Sequence, residues 1–270
     1  MKLFHYFLFL SLVLGCVVPL PAQRSIGFSA GTGTAYYYGD LTDNFNNSFF
    51  RPAIYLSAST YITSGISLRC GISFGQIRAS DARATSEIRR MRNLRFRSLL
   101  GEMSFTGVYE FFPDKYFGVG WRKQTHFSPY IFGGVAVFGF DPRAKYQDKW
   151  IRLKPLGTEG QYIGDSKIRP YSLIQPAFPF GGGINLRLTD FIGISMEMGY
   201  RITFTDYLDD VSTFYPDPDA LAASSGPIAV ALSNRTGTVL PANSIRGNPG
   251  VKDSYVFTTL SVCYYLDRRP

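Results

Sequence analysis

Few residues of this 270-residue chain have the types and spacing that chemistry needs. There are two histidines: His5 lies in an apolar leader, and His126 stands alone in a turn. No HExxH, nucleophile elbow or glycine-rich phosphate loop is present, and Gly181-Gly182-Gly183 sits inside a strand pattern. Cys70 and Cys263 fall on strand faces of opposite parity, without the neighbours of a nucleophile or metal site. Charge is more informative. Arg69, Glu102, Glu110, Arg187, Glu197 and Arg201 each sit at an alternate position among small residues. Arg69 with Glu102, and Arg187 with Glu197, are placed to pair across neighbouring strands. Asp206, Asp209 and Asp210 form a close acidic group. Such oxygens could ligate calcium, but the ligand spacing is irregular, and a solvated, turn-forming extracellular face is the plainer reading.

The elements that position these charges show best in residues 191–207, FIGISMEMGYRITFTDY. Ile192, Ile194, Met196, Met198, Tyr200, Ile202 and Phe204 occupy one parity, and Gly193, Ser195, Glu197, Gly199, Arg201 and Thr203 the other. A period of two is a strand. Small and charged residues opposite an unbroken apolar face suit the crowded interior of a narrow barrel whose outside meets lipid. Residues 66–76 repeat the pattern, with Ile66, Leu68, Cys70, Ile72 and Phe74 outward and Arg69 inward.

Further strands are expected at 25–38, 51–62, 94–111, 128–140, 177–188 and 253–266, which makes eight. The three tyrosines Tyr36, Tyr37 and Tyr38 would mark a membrane interface. Long segments at 39–50, 77–93, 141–176 and 205–252 alternate with connections of three residues or fewer, and one connector, 112–127, is intermediate. Outer-membrane barrels have this alternation of long outside loops and short periplasmic turns. The fold class is therefore all-β: an eight-stranded antiparallel transmembrane β-barrel with long extracellular loops. A soluble lipid-binding barrel would turn an apolar face inward, which the inner charges oppose. In so narrow a barrel the inner charges read as an ion network filling the lumen rather than a conduction path.

Residues 1–22 read as a signal peptide, with Lys2 before an apolar run that ends in prolines; residues 23–270 form the barrel domain. A membrane anchor, or lipidation at Cys16, is the competing reading of that segment. Aromatics make up 16% of the chain and the formal charge is +8, which suits anionic lipid head groups. Export and the scatter of arginines over loops exclude nucleic acid as a partner, and no cofactor, metal or small-molecule substrate is implied.

Five segments resemble the PorG-type outer-membrane proteins of Bacteroidetes. They are Arg92-Asn93-Leu94-Arg95-Phe96; Tyr130-Ile131-Phe132-Gly133-Gly134-Val135 running to Phe140-Asp141-Pro142; Pro155-Leu156-Gly157-Thr158-Glu159-Gly160-Gln161; Thr205-Asp206-Tyr207-Leu208-Asp209-Asp210-Val211-Ser212; and Arg246-Gly247-Asn248. The resemblance implies a non-enzymatic outer-membrane subunit of the type IX secretion system that contacts a periplasmic ring of PorK and PorN subunits. The short turns offer such a ring little surface. Phe117, Trp121, Arg122 and Lys123 of the 112–127 connector are therefore the contact candidates, aromatics and arginine being enriched in interface hot spots. An inner-leaflet aromatic girdle would use the same residues. The alternatives in function are a free-standing surface barrel (a small pore, an adhesin or a lipid-binding protein) and a lipid-modifying enzyme.

Overall fold

A computed structural model describes residues 26–42, 47–63, 65–112, 126–164 and 166–266. The signal-peptide segment and the connector residues Phe117, Trp121, Arg122 and Lys123 lie outside the described residues. Nine strands form among those described: β1 (Ile26–Tyr38), β2 (Arg51–Tyr61), β3 (Ile66–Ser80), β4 (Arg95–Glu110), β5 (His126–Tyr146), β6 (Lys149–Arg152), β7 (Ile174–Arg187), β8 (Ile192–Thr203) and β9 (Ser254–Tyr265). Every pairing is antiparallel. β1 pairs with both β2 and β9, and β4 pairs with β5, so eight strands close into a ring in the order β1-β2-β3-β4-β5-β7-β8-β9. The ninth, β6, pairs only with residues 143–146 of β5, outside the ring.

Alternation decides which side of each strand meets what. On β8, Ile192, Met196, Met198 and Ile202 are exposed while Ser195, Glu197, Arg201 and Thr203 are buried. On β4, Leu99, Phe105 and Tyr109 point out, and Ser98, Leu100, Glu102, Ser104, Thr106, Val108 and Glu110 point in. A closed ring with a continuous apolar exterior is the architecture of an outer-membrane barrel, and it places the chain in that membrane. The apolar stretch from Leu99 to Tyr109 matches the roughly 9 to 11 residues a strand needs to cross. No described helix is long and apolar enough to span a bilayer. The tight turns close by backbone bonds from Ile62 to Ile66 and from Leu188 to Ile192, both 2.9 Å, at the same end as Ile26 and Leu266.

The long segments are more ordered than expected from their polarity. Residues 77–93 are not a plain basic loop: β3 runs on to Ser80, and a short helix, Glu87–Arg92, follows. The segment 141–176 begins as a hairpin, because β5 continues past Asp141 to pair with β6. Two helices, Pro218–Ser225 and Pro227–Ser233, lie within 205–252. Tyr36 and Tyr37 are wholly buried rather than set at a membrane interface. β1 extends beyond the lipid span into a packed region above it, where Tyr36 meets Phe50 and Tyr37 meets Phe96 edge-on.

The assignment of faces has a direct consequence. Met198 is more than half exposed on the lipid side. Met198→Arg is expected to cost about 2 to 4 kcal/mol if the position lies at mid-membrane, read as a lowered urea midpoint of the refolded protein in lipid.

Candidate functional site

The lumen is filled by carboxylates, each reached by a tyrosine hydroxyl. Nearest the short turns, Glu110 accepts from Tyr61 at 3.0 Å and from Asn185 at 3.3 Å. In the next storey Glu197 accepts from Arg69 Nη1 at 2.6 Å and from Tyr130 at 2.8 Å. The Arg69 guanidinium also lies 4.8 Å from the Phe132 ring centre. Above it Glu102 takes two parallel bonds from Arg201, at 3.0 and 3.1 Å, and a third from Tyr255 at 2.8 Å. Glycines make room for these groups: a Cβ at Gly199 would stand 2.4 Å from Arg201 Nη1.

The inward residues are those the sequence picks out, but the partners differ. Arg69 does not pair with Glu102, nor Arg187 with Glu197. In register Arg69 stands opposite Thr106 and Glu102 opposite Ser73; Arg187 stands opposite Gly193 and Glu197 opposite Gly183. Each supposed pair is thus four residues out of step, roughly 13 Å along a strand. β3 and β8 are diametrically opposite in an eight-strand ring, so Arg69 reaches Glu197 straight across the lumen instead. Arg187 sits at the lower rim, where it donates to the carbonyls of Thr189 and Asp190 and lies over the Tyr265 ring.

Above the lumen the loops lock into a cap. Asp206, Asp209 and Asp210 are buried in it, not solvated on an acidic face. Asp210 accepts from Tyr171 at 2.6 Å and from Thr158. Arg246 donates to Glu159 at 2.9 Å and to the Asp210 carbonyl at 2.5 Å. Glu159 also receives the backbone N–H groups of Ser212 and Thr213. Arg92 grips both oxygens of Asp81 at 2.7 and 2.8 Å and donates to the carbonyls of Arg246 and Asp40. Every long segment therefore contributes to one network.

Residues 5–223 match the family described as a domain of unknown function, DUF6089. The chain belongs to the DUF6089 family. Among solved structures this DUF6089 chain is similar to neisserial surface protein A (NspA), at 9% identity and a TM-score of 0.44 over 90% of this chain and 99% of that one. It is similar to Ail, the attachment invasion locus protein of Yersinia pestis, in complex with the heparin analogue sucrose octasulfate, at 8% identity and 0.42 over 91% and 100%. The outer membrane protein OprG of Pseudomonas aeruginosa gives 9% identity and 0.37 over 90% and 94%. No curated protein matches the chain. The DUF6089 match ends at residue 223, yet Arg246 and Asp253 complete the cap and β9 closes the ring.

Sequence reasoning missed Tyr61, Tyr130 and Tyr255, the hydroxyl partners of the lumen carboxylates, although each has inward parity on its strand. It also missed Glu159 and Arg246, which lie 87 residues apart, and the pair Asp81–Arg92, which the helix Glu87–Arg92 brings together. Electrostatically the DUF6089 cap is dominated by buried carboxylates. Burial pushes Asp206 up to about 7 and Asp210 up to about 6, the latter against the opposing pull of Arg246. Burial raises Asp209 and Asp253 as well, and Tyr37 donates toward both, at 2.6 and 2.9 Å. A phenol has one hydrogen to give, so the two carboxyls compete for it, and the upward shift of both favours a proton on this group.

Two outcomes follow from this geometry. Glu102→Leu strands Arg201 in the lumen and is expected to cost about 3 to 5 kcal/mol, lowering the urea midpoint, whereas Glu102→Leu with Arg201→Leu recovers most of the loss. In the cap the sign is set by the raised carboxyls. Between the ordinary aspartate range and about pH 7 the folded state holds a proton that the unfolded chain releases. Stability is then greatest below about pH 4 for this group and falls as pH rises through about 7. Asp206→Asn should flatten that part of the fall, measured as the difference in urea midpoint between variant and wild type from pH 4 to 8.

Proposed function

We propose that the chain is a non-catalytic outer-membrane subunit of the type IX protein secretion apparatus, anchoring its periplasmic PorK–PorN ring. The observation that supports an anchor over a pore is the filled lumen. Arg69–Glu197 spans the ring between opposite strands and Arg201–Glu102 closes the storey above it, under the packed cap. A permeating solute would have to separate both pairs. The secretion assignment draws its support from the PorG-type motifs, which meet in space: Arg92, Glu159, Asp210 and Arg246 join four of them through hydrogen bonds.

With the cap outside the cell, a periplasmic contact falls to the connector and its Phe117, Trp121, Arg122 and Lys123. A second reading, a free-standing surface barrel, is favoured by apolar side chains on the cap itself: Val239, Ile245 and Ile88 are each at least three-quarters exposed. Such residues suit adhesion to another surface.

The two readings separate experimentally. Ser224→Cys is expected to label on intact cells and Thr63→Cys only after the membrane is opened; the reverse result would invert the topology. Alanine at Trp121, Arg122 and Lys123 together, in a barrel that inserts normally, should abolish co-purification of the ring subunits and secretion of cargo. Normal secretion from that variant removes the connector from the ring contact. Stepwise conductance of the purified protein in planar bilayers would overturn the plugged-anchor reading in favour of a pore.

A further inference from the structure

The outer wall just above the lipid-facing belt carries a row of arginines that the anchor role does not use. In register Arg78 of β3 stands opposite Arg97 of β4, Arg97 opposite Arg143 of β5, and Arg143 opposite Arg152 of β6. Like charges set directly opposite one another destabilise a sheet. Part of the row is answered within the protein: Asp141 accepts from Arg143 and Arg152, each at 2.7 Å. Arg97 has the Trp150 ring, 3.9 Å from its guanidinium carbon. Arg78 donates through Nη2 to the Ser48 carbonyl at 2.6 Å, and its Nε is buried with no acceptor among the described residues, which leaves Nη1 as its group toward the wall. Arg95 and Lys145 follow on the same outward faces, and Asp148 pairs with Lys145 at 2.5 Å. Positive charge on this wall exceeds the carboxylates available to it.

The height of the row says what would meet it. One residue pair below lie Gln76, Leu99 and Asp141, and Leu99 is the last outward apolar residue of β4 at this end of the lipid span. The arginines therefore stand at the level of the outer-leaflet head groups. Directly beneath them a groove of about 650 Å³ is lined by Pro52, Phe74, Leu99, Gly101, Gly139 and Asp141, among others. At Gly139, one of its lining residues, an added Cβ would meet nothing nearer than the Leu173 carbonyl at 3.8 Å.

We propose that this wall holds one phosphorylated acyl lipid of the outer leaflet, its phosphate on Arg78, Arg97 and Arg143 and one acyl chain in the groove. Guanidinium forks match phosphate oxygens in pairs, and this row carries more guanidinium N–H groups than Asp141, the Trp150 ring and the Ser48 carbonyl take up. The apolar lining receives the chain, and the outward opening faces the lipid from which it enters. The site depends on the barrel's place in the membrane and not on the secretion reading, so either can fail without the other.

The test uses the mature protein in phosphatidylcholine nanodiscs doped with diphosphoryl lipid A, with lipid retained after transfer to detergent counted by native mass spectrometry. Wild type is expected to keep one lipid A. Arg97→Gln with Arg143→Gln should weaken retention about thirty-fold. Gly139→Leu, which fills the groove and leaves every arginine in place, should weaken it at least about tenfold; Gly139→Ala replaces it if leucine lowers the urea midpoint. Equal retention by wild type and both kinds of variant overturns the proposal. So does equal retention of lipid A stripped of its phosphates. Loss with the arginine pair alone, together with equally tight binding of inorganic phosphate, overturns the lipid in favour of a bare anion site.

Discussion

An eight-strand ring has an interior that side chains can fill, so Arg69 and Arg201, facing inward at mid-barrel, find their counter-charges across the lumen. Arg201 and Glu102 are nearly dry, and Arg69 and Glu197 only a little less so. Such pairs contribute little net stability over a well-packed apolar filling, because desolvating both charges offsets most of their attraction. What they fix is register. A slip of one residue would turn Arg201 or Glu197 out to lipid and Met198 or Ile202 in, exchanging the two faces of β8 at once. Because Arg69 reaches from β3 to the opposite strand, the lock also sets the cross-section of the ring, not only the pairing of neighbours.

The cap obeys the same rule with the opposite balance. In the lumen Arg69 and Arg201 each have a carboxylate of their own; in the cap Asp206, Asp209, Asp210, Asp253, Asp81 and Glu159 outnumber Arg92 and Arg246. The excess is held by hydroxyls and backbone N–H groups: Ser212 for Asp206, Tyr171 for Asp210, Leu208 N–H for Asp253. It is held also by protons, which burial makes the carboxyls keep. Asp209 and Asp253 share the single hydrogen of Tyr37, and Tyr37 itself belongs to β1. The cap is thereby tied to the wall of the barrel, and its charge state depends on the medium outside.

Alternation made the membrane strands readable one at a time. Every inward charge named from parity on β3, β4 and β8 does point inward, because the pleat leaves no other choice once lipid lies outside. Pairing was not readable, since it depends on stagger between strands, and four residues of offset turned Arg69 from Glu102 to Glu197. Where the strands leave the lipid, the cue itself is lost. β5 beyond Asp141 reads as polar loop because water and protein replace the apolar exterior, yet its ladder continues to Tyr146. Asp209 and Asp210 looked solvated because nothing near them in sequence covers them. Thr158, Tyr171, Arg246 and Tyr37 do so from the other long segments and from β1.

The location of the family-like motifs bears on what they can signify. Arg92, Glu159, Asp210 and Arg246 spend their hydrogen bonds on Asp81, on one another, and on hydroxyls and backbone of the long segments, so these residues are committed to building the cap. A residue so committed has no group left to offer a partner. Motifs of this kind link the chain to barrels whose loops close in the same way, and the contacts such a barrel makes with a partner fall to other residues. What distinguishes a secretion anchor from a surface barrel of another role must then reside in residues that folding does not use. At the tight-turn end the turns expose little beyond Ile62, Thr63 and the 188–191 segment, and the 112–127 connector is the longest stretch between strands there. At the cap end the groups least taken up by folding are the guanidinium N–H groups left over in the arginine row and the exposed apolar side chains of the cap. The groups that folding leaves over lie on the wall and the two rims, and the interior serves to keep them in place.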